Sequence, residues 1–183
     1  MFERFTPEAR RTVVRAGLLS LDAGRTALDD DMLLLALAEA WPVGGFTVSP
    51  DAVRALLPVN PADRPGDRDL LAGLGVDLDE IRRRLPARRA DPAAWRLHRP
   101  RTRPLRVTLS GPAGDLRLTV AARKTVEVAL YYGARRTGGG AADEDLVRGL
   151  LADGSNTSVA ILRRLGVDLH GLAGRLWPLR ASA

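Results

Sequence analysis

The sequence predicts an all-α fold made of two copies of one four-helix motif. Two observations carry this prediction. The segment that begins at Phe5 aligns without gaps with the segment that begins at Leu118, at a constant offset of 113 residues. Each copy then ends in the same five residues, Leu-Gly-Val-Asp-Leu, at 74–78 and 165–169. Internal repetition on this scale is typical of folds assembled from one supersecondary unit.

The opening helix of the first copy is predicted to begin after Thr6 and to run to about Ala23. Thr6 is a good N-cap, Pro7 suits the first helical position, and Glu8 lies near the positive end of the helix dipole. Apolar residues then recur at helical spacing. These signals predict a helix with one apolar face.

Acidic residues mark the starts of the later helices. The second helix of each copy is predicted to begin at an acidic cap, Asp30 or Asp143, before a leucine-rich stretch. A third helix is predicted in the second copy over 155–164, closed by Gly166. Fourth helices are expected to begin at Asp77, ending near Leu85, and at Asp168.

The repeats define the predicted boundaries within what we expect to be one compact domain. The first repeat covers 1–85 with an insertion at about 41–66, a Pro/Arg-rich linker covers 86–117, and the second repeat covers 118–177. The insertion is predicted to be loop apart from a short helix from Ser49 to Leu57. Alternating residues in the linker allow a hairpin across 111–114, which we expect to be marginal because isolated hairpins are unstable.

The composition allows a folded core but no membrane span and no disulfide. Of 183 residues, 45% are hydrophobic. The longest apolar run, 32–38, is far shorter than the roughly 20 residues that span a bilayer. The sequence opens with the charged residues Glu3 and Arg4 and not with the apolar stretch of a signal peptide. The lack of cysteine excludes disulfides and thiolate metal sites. We therefore expect a cytoplasmic protein without membrane contact.

Arginine supplies almost all of the positive charge. The net charge is +6, and ten arginines lie between Arg82 and Arg106 with Asp91 as the only acid among them. Such a stretch can pair with phosphates, so a structural or regulatory protein that contacts nucleic acid is an alternative function. No series of stacking aromatic residues accompanies these arginines. A solvated linker is the favoured interpretation, and nucleic acid is an unlikely partner.

Catalytic motifs are missing from the sequence. A P-loop needs Gly-Lys followed by Ser or Thr, but the only lysine, Lys124, follows Arg123 inside a predicted helix. There is no Gly-x-Ser-x-Gly elbow, and His98 and His170 have no evident nucleophile to serve. We therefore expect a protein that is not an enzyme and that needs neither cofactor nor metal.

The chain resembles the Clp amino-terminal domain family, especially that domain of actinobacterial ClpC unfoldases, without the ATPase modules. The resemblance rests on the opening 1–6, on Ala-Arg-Arg at 9–11 and on the repeated five-residue phrase. It implies a pseudo-twofold eight-helix domain that recruits Clp substrates or Clp unfoldase and protease components. Without a motor, such a chain would act as an adaptor, or as a decoy that sequesters hydrophobic peptides or cyclic peptide antibiotics.

The resemblance also implies a peptide groove where the two opening helices meet. Phe2 precedes the helix cap and so has less reason to be buried, and we expect it to be an anchor whose loss would weaken a peptide while leaving stability nearly unchanged. Arginines beside the groove would hold peptide carbonyls. Val13, Val126 and Leu130 are explained equally well as core residues. The matching positions are Phe2, Arg10, Val13, Val14, Gly17, Leu118, Arg123, Val126, Glu127 and Leu130.

A second implied site lies at the start of the second helix of each copy. Some family members bind phosphorylated arginine there through a glutamate, and the matching acids are Asp31 and Glu144. Here the neighbouring positions carry further carboxylates, which repel a phosphate at short range. Capping of the helices is the favoured interpretation of these acids.

Overall fold

The computed structural model describes residues 1–40, 47–58, 90–100, 102, 105–135 and 139–177. These ranges are mostly helical, as predicted, and they also contain four short strands. The helices are α1 (Pro7–Asp22), α2 (Asp30–Ala40), α3 (Pro50–Ala55), α4 (Val120–Ala134), α5 (Asp143–Leu151), α6 (Thr157–Arg164) and α7 (Leu169–Leu176). The strands are β1 (Ala27–Leu28), β2 (Arg96–His98), β3 (Thr108–Gly111) and β4 (Gly114–Leu118).

Local signals set the helix ends where the sequence predicted them. The Thr6 hydroxyl accepts a hydrogen bond from the backbone N–H of Ala9 at 3.2 Å, and Pro7 is the first residue of α1. Helices α2 and α5 begin at Asp30 and Asp143, but these residues are the first helical residues and not the predicted caps: the N–H of Asp30 donates to Asp29, and Ala142 is at the cap position of α5. The short insertion helix is present as α3, two residues shorter than expected at its end.

The second copy contains four helices, α4 to α7, in the predicted order. Asn156 caps α6 and Asp168 caps α7, and Gly166 adopts a left-handed φ of 71° just beyond α6. Glycine adopts this conformation without steric cost, which lets the chain leave the helix. The predicted fourth helix of the first copy, Asp77 to Leu85, lies outside the described residues, and the eight-helix count stays a prediction.

The prediction of an all-α fold with a marginal hairpin is wrong. The hairpin β3–β4 lies inside a four-stranded sheet of order β1-β4-β3-β2, in which β1 runs parallel to β4 and the other pairs are antiparallel. Leu97, Leu109 and Leu116 lie in one row across three strands and are buried. The two added strands and this apolar row stabilise a hairpin that would be unstable alone.

In each copy, the segment just before the opening helix forms backbone hydrogen bonds with the other copy. Phe5 forms a parallel bridge with Ala141, and Leu118 pairs in parallel with Leu28. The N–H of Thr6 donates to the Ala141 carbonyl at 2.9 Å, and the N–H of Thr119 donates to the Leu28 carbonyl at 3.0 Å. These contacts are equivalent under the offset of 113 residues. They support the predicted twofold relation of the entry segments.

Helix α2 forms the centre of the core. Residues 32–38 are all buried, around the whole circumference of the helix. A helix that is apolar on every side needs neighbours on every side, and α2 packs against α1, α3, α4, α5 and α6. Within the described ranges, no helix combines the length and the apolar character needed to cross a bilayer.

Candidate functional site

Most apolar positions of the predicted groove lie in the core. Phe2, Val13, Val14, Leu118, Val126 and Leu130 are all buried. Their side chains therefore offer little surface to a ligand, although peptide binding at this set of positions stays a prediction. The alternative interpretation of Val13, Val126 and Leu130 as core residues agrees with their burial.

The expected exposure of Phe2 is wrong. Its ring is only 4% exposed and packs edge-on against Phe5, with 5.8 Å between the ring centroids. The Arg10 guanidinium lies 5.1 Å from the centre of the Phe2 ring. Phe2 belongs to a short 3-10 turn, Phe2–Arg4, which folds the N-terminus back onto the domain. That turn, which precedes the helix cap, accounts for the burial.

The two arginines of the predicted groove make equivalent contacts. Arg10 donates from Nη2 to the Trp95 carbonyl at 3.2 Å, and Arg123 donates from Nη1 to the Leu105 carbonyl at 2.7 Å. Both acceptors belong to the inter-repeat segment, which we define as the described residues 92–100, 102 and 105–117. Arginines at these positions were expected to hold peptide carbonyls, and here they hold carbonyls of the chain itself.

The remaining two groove positions also contact the inter-repeat segment. A Cβ atom at Gly17 would lie 2.5 Å from Cδ2 of Leu109, so glycine permits close packing of β3 on α1. Glu127 forms an ion pair with Arg99. With Leu118, whose N–H donates to the Val107 carbonyl at 3.0 Å, at least five of the ten predicted positions contact this segment, which reaches from α1 to α4.

The sequence analysis missed the residues of the inter-repeat segment that make these contacts. Trp95 is fully buried, and its ring packs against Gly111 so closely that a Cβ there would overlap it. Trp95 and Leu97 are buried whereas Arg96 and His98 are exposed. This alternation is a period-two strand signal, but four residues are too few to distinguish a strand from a linker.

The acids of the second predicted site differ between the copies. Asp31 is buried and accepts hydrogen bonds from Arg25 Nη1 at 2.7 and 2.8 Å. Burial raises the pKa of Asp31, while the Arg25 guanidinium opposes this effect. In the part of the chain that the structure describes, Glu144 has no hydrogen bond or ion pair. The carboxylate of copy one is therefore already bound to a guanidinium, whereas the described residues provide no such partner for that of copy two.

The neighbouring acids connect the two copies rather than simply capping their own helices. Asp30 accepts a hydrogen bond from the N–H of Ser158 at the start of α6, at 2.7 Å, and burial raises the pKa of Asp30 to about 6. Asp29 accepts from the Thr119 hydroxyl at 2.6 Å. In α5, Asp145 rather than Asp143 accepts from the N–H of Ala142. The capping interpretation is thus too simple.

The described surface includes two cavities. A cleft of about 370 Å³ between α1, α2 and α5 is lined mainly by charged side chains, including the ion-paired Arg15 and Glu39 and the half-buried Asp143, whose pKa is raised by burial. A cavity of about 280 Å³ lies beside α7. The described ranges hold no cluster of three or more His, Cys, Asp or Glu side chains that is suited to a metal.

Comparison with solved structures shows which fold this architecture belongs to. The chain is similar to the N-terminal domain of ClpD, a caseinolytic protease associated chaperone from Arabidopsis thaliana, with a TM-score of 0.56 and 18% sequence identity. The match covers 96% of this chain and 94% of that one. No family model and no curated protein matches the sequence. The chain therefore has a Clp N-domain-like fold, as the sequence resemblance implied, and the specific likeness to ClpC stays a prediction.

Proposed function

We propose that this chain is a non-catalytic binding module of the Clp system that holds extended polypeptide segments of Clp substrates or Clp components. Hydrophobic peptides, linear or cyclic, belong to the same ligand class, because they combine apolar side chains with backbone carbonyl groups. The fold shared with a chaperone's N-terminal domain supports membership of this class. Fold alone does not specify function, so the proposal rests on the site.

One observation carries the proposal. Arg10 and Arg123 are equivalent under the repeat, and each donates a hydrogen bond to a main-chain carbonyl of the inter-repeat segment. The guanidinium group carries five N–H donors in a fixed planar arrangement and no acceptor. An arginine pair of this kind recognises polypeptide backbone whatever its side chains are. That property suits a module that takes many different substrates.

Binding is tested with an unfolded protein as the probe. Titration with fluorescein-labelled casein, followed by fluorescence anisotropy, should give saturable binding. In ¹⁵N-labelled protein, the side-chain Nε–H signal of Arg123 should shift with the same midpoint, whereas that of Arg10, whose acceptor Trp95 is fully buried, should shift less. The exposed Arg164 serves as a control in the same spectrum and should not shift. No saturable binding, or binding that leaves both arginine signals unchanged, would contradict the proposal.

An adaptor and a decoy differ in the fate of the bound polypeptide. An adaptor raises the rate at which a Clp unfoldase and protease degrade casein, whereas a decoy lowers that rate in proportion to the casein it holds. We propose the decoy as the simpler case, because it needs only the binding surface. The test adds increasing amounts of this chain to a casein degradation assay with a purified Clp unfoldase and its protease. Acceleration would establish the adaptor instead.

A further inference from the structure

The surface proposed to bind polypeptide is already occupied by the chain's own inter-repeat segment. We propose that this segment is a resident ligand, so that an external polypeptide gains access to Arg123 by competing with it. The inference rests on the proposed function, because it concerns the regulation of the same surface. Two parts of the segment are held differently, and this difference determines where competition takes place.

The part that lies on α1 is fixed in the core. Trp95, whose carbonyl accepts from Arg10, is fully buried, and its ring covers Gly111 of β3. Leu109 of the same strand packs against Gly17. Release of this part would expose the apolar row of the sheet to water, which is strongly unfavourable. An external polypeptide does not displace it.

The part that lies on α4, at Arg99 and Leu105, is held by surface contacts in the residues that the structure describes, and the buried segment resumes at Val107. The side chain of Leu105 is 78% exposed, and the contact there is the hydrogen bond from Arg123 to its carbonyl. The ion pair between Arg99 and Glu127 is also partly exposed, with side-chain exposures of 34% and 39%. Exposed ion pairs contribute little to stability. Competition is therefore expected at α4.

The resident segment satisfies the two arginines incompletely. The Nε atoms of Arg10 and Arg123 are both buried and have no hydrogen-bond acceptor among the residues that the structure describes, and Nε of Arg123 has only a long ion-pair contact, at 4.0 Å from the Glu127 carboxylate. A buried donor without an acceptor is costly, because it has lost its hydrogen bonds to water. A polypeptide that brings a second carbonyl or a carboxylate to Arg123 has an advantage over the resident segment.

The test weakens the surface-held part without changing the core. Arg99→Glu places a carboxylate beside Glu127 and replaces attraction by repulsion. We expect this variant to bind fluorescein-labelled casein about three times more tightly than the wild type, since the broken contact is a partly exposed ion pair. Arg99→Lys keeps the attraction to Glu127, which also lies 4.0 Å from Nε of Arg123, and this variant should bind casein with the wild-type affinity.

A matched control separates the contact from the change in net charge. Arg96→Glu alters the net charge equally, but Arg96 is exposed and no ion pair of it is found in the described ranges. If Arg99→Glu and Arg96→Glu bind casein with the same affinity, the resident-ligand inference is wrong and the proposed function stands. If neither the wild type nor any of these variants binds casein, the proposed function is wrong, and the inference falls with it.

Discussion

Asp30 is the residue through which the second helix of copy one meets the third helix of copy two. Its carboxylate is 1% exposed and accepts from the N–H of Ser158. Burial raises its pKa from 3.8 to about 6, against the effect of that hydrogen bond. The folded state thus holds a proton on Asp30 at pH values where the unfolded chain has released it.

The pH dependence of stability follows from this shift. Because the folded-state pKa is the higher one, the contribution of Asp30 to stability is present below about pH 4 and is lost as the pH rises through about 6. The loss is on the order of 3 kcal/mol. Asp30→Asn keeps an acceptor for Ser158 and removes the titration. Urea unfolding at pH 4 and pH 7 should show the variant gaining stability relative to the wild type, and a pH-independent difference would contradict this.

Phe2 is expected to act as a core residue in mutagenesis. Phe2→Ala removes a buried ring that packs on Phe5 and lies beneath Arg10, and it should lower the free energy of unfolding by about 3 kcal/mol. Phe2→Leu retains most of the apolar volume and serves as the control. Urea denaturation measures both. An unchanged midpoint for Phe2→Ala would revive the interpretation of Phe2 as an exposed ligand anchor.

Free phosphoarginine is expected to bind weakly or not at all. In copy one the Asp31 carboxylate already binds the guanidinium of Arg25. In copy two, Glu144 lies between Asp143 and Asp145, whose carboxylates repel a phosphate. Calorimetric titration should give no clear saturation. A micromolar isotherm that is lost in Asp31→Ala and Glu144→Ala would contradict this prediction.

At the scale of elements, the sheet depends on one close contact between strands. A Cβ atom at Gly111 would overlap the fully buried ring of Trp95. Gly111→Ala should therefore lower the free energy of unfolding by about 1 to 3 kcal/mol, the usual effect of overpacking. Gly154→Ala is the control, because its Cβ would meet only the Arg163 guanidinium, at 3.9 Å. Equal stability of both variants would rule out this packing role.

The sequence predicted the elements whose signals are local. Thr6 and Asp168 cap helices, and Gly166 follows one, because capping involves only neighbouring residues. Strand β1 has two residues and β2 has three, too few for a periodic pattern, and their pairing depends on partners far along the chain. The arginines of the site were found through the repeat. Their acceptors at Trp95 and Leu105 were missed because those contacts are tertiary.

At the scale of the whole molecule, each copy depends on the other. The N–H of Thr119 finds its acceptor in copy one, at Leu28, and Asp30 of copy one binds the start of α6. A fragment of residues 118–177 should therefore be unfolded as a monomer, which circular dichroism and amide NMR dispersion can measure against the full chain. A cooperative thermal transition of the monomeric fragment would contradict this expectation.

The reciprocal pairing of Phe5 with Ala141 and of Leu28 with Leu118 has a consequence for the origin of the fold. A chain with a single copy would find both partners only in a second chain, which is the isologous geometry of a twofold homodimer. The folded state of such a dimer depends on protein concentration. Fusion of the two copies makes the encounter intramolecular. It also lets the sequences of the two copies change independently. For example, the equivalent positions 29 and 142 carry different residues, Asp29 and Ala142.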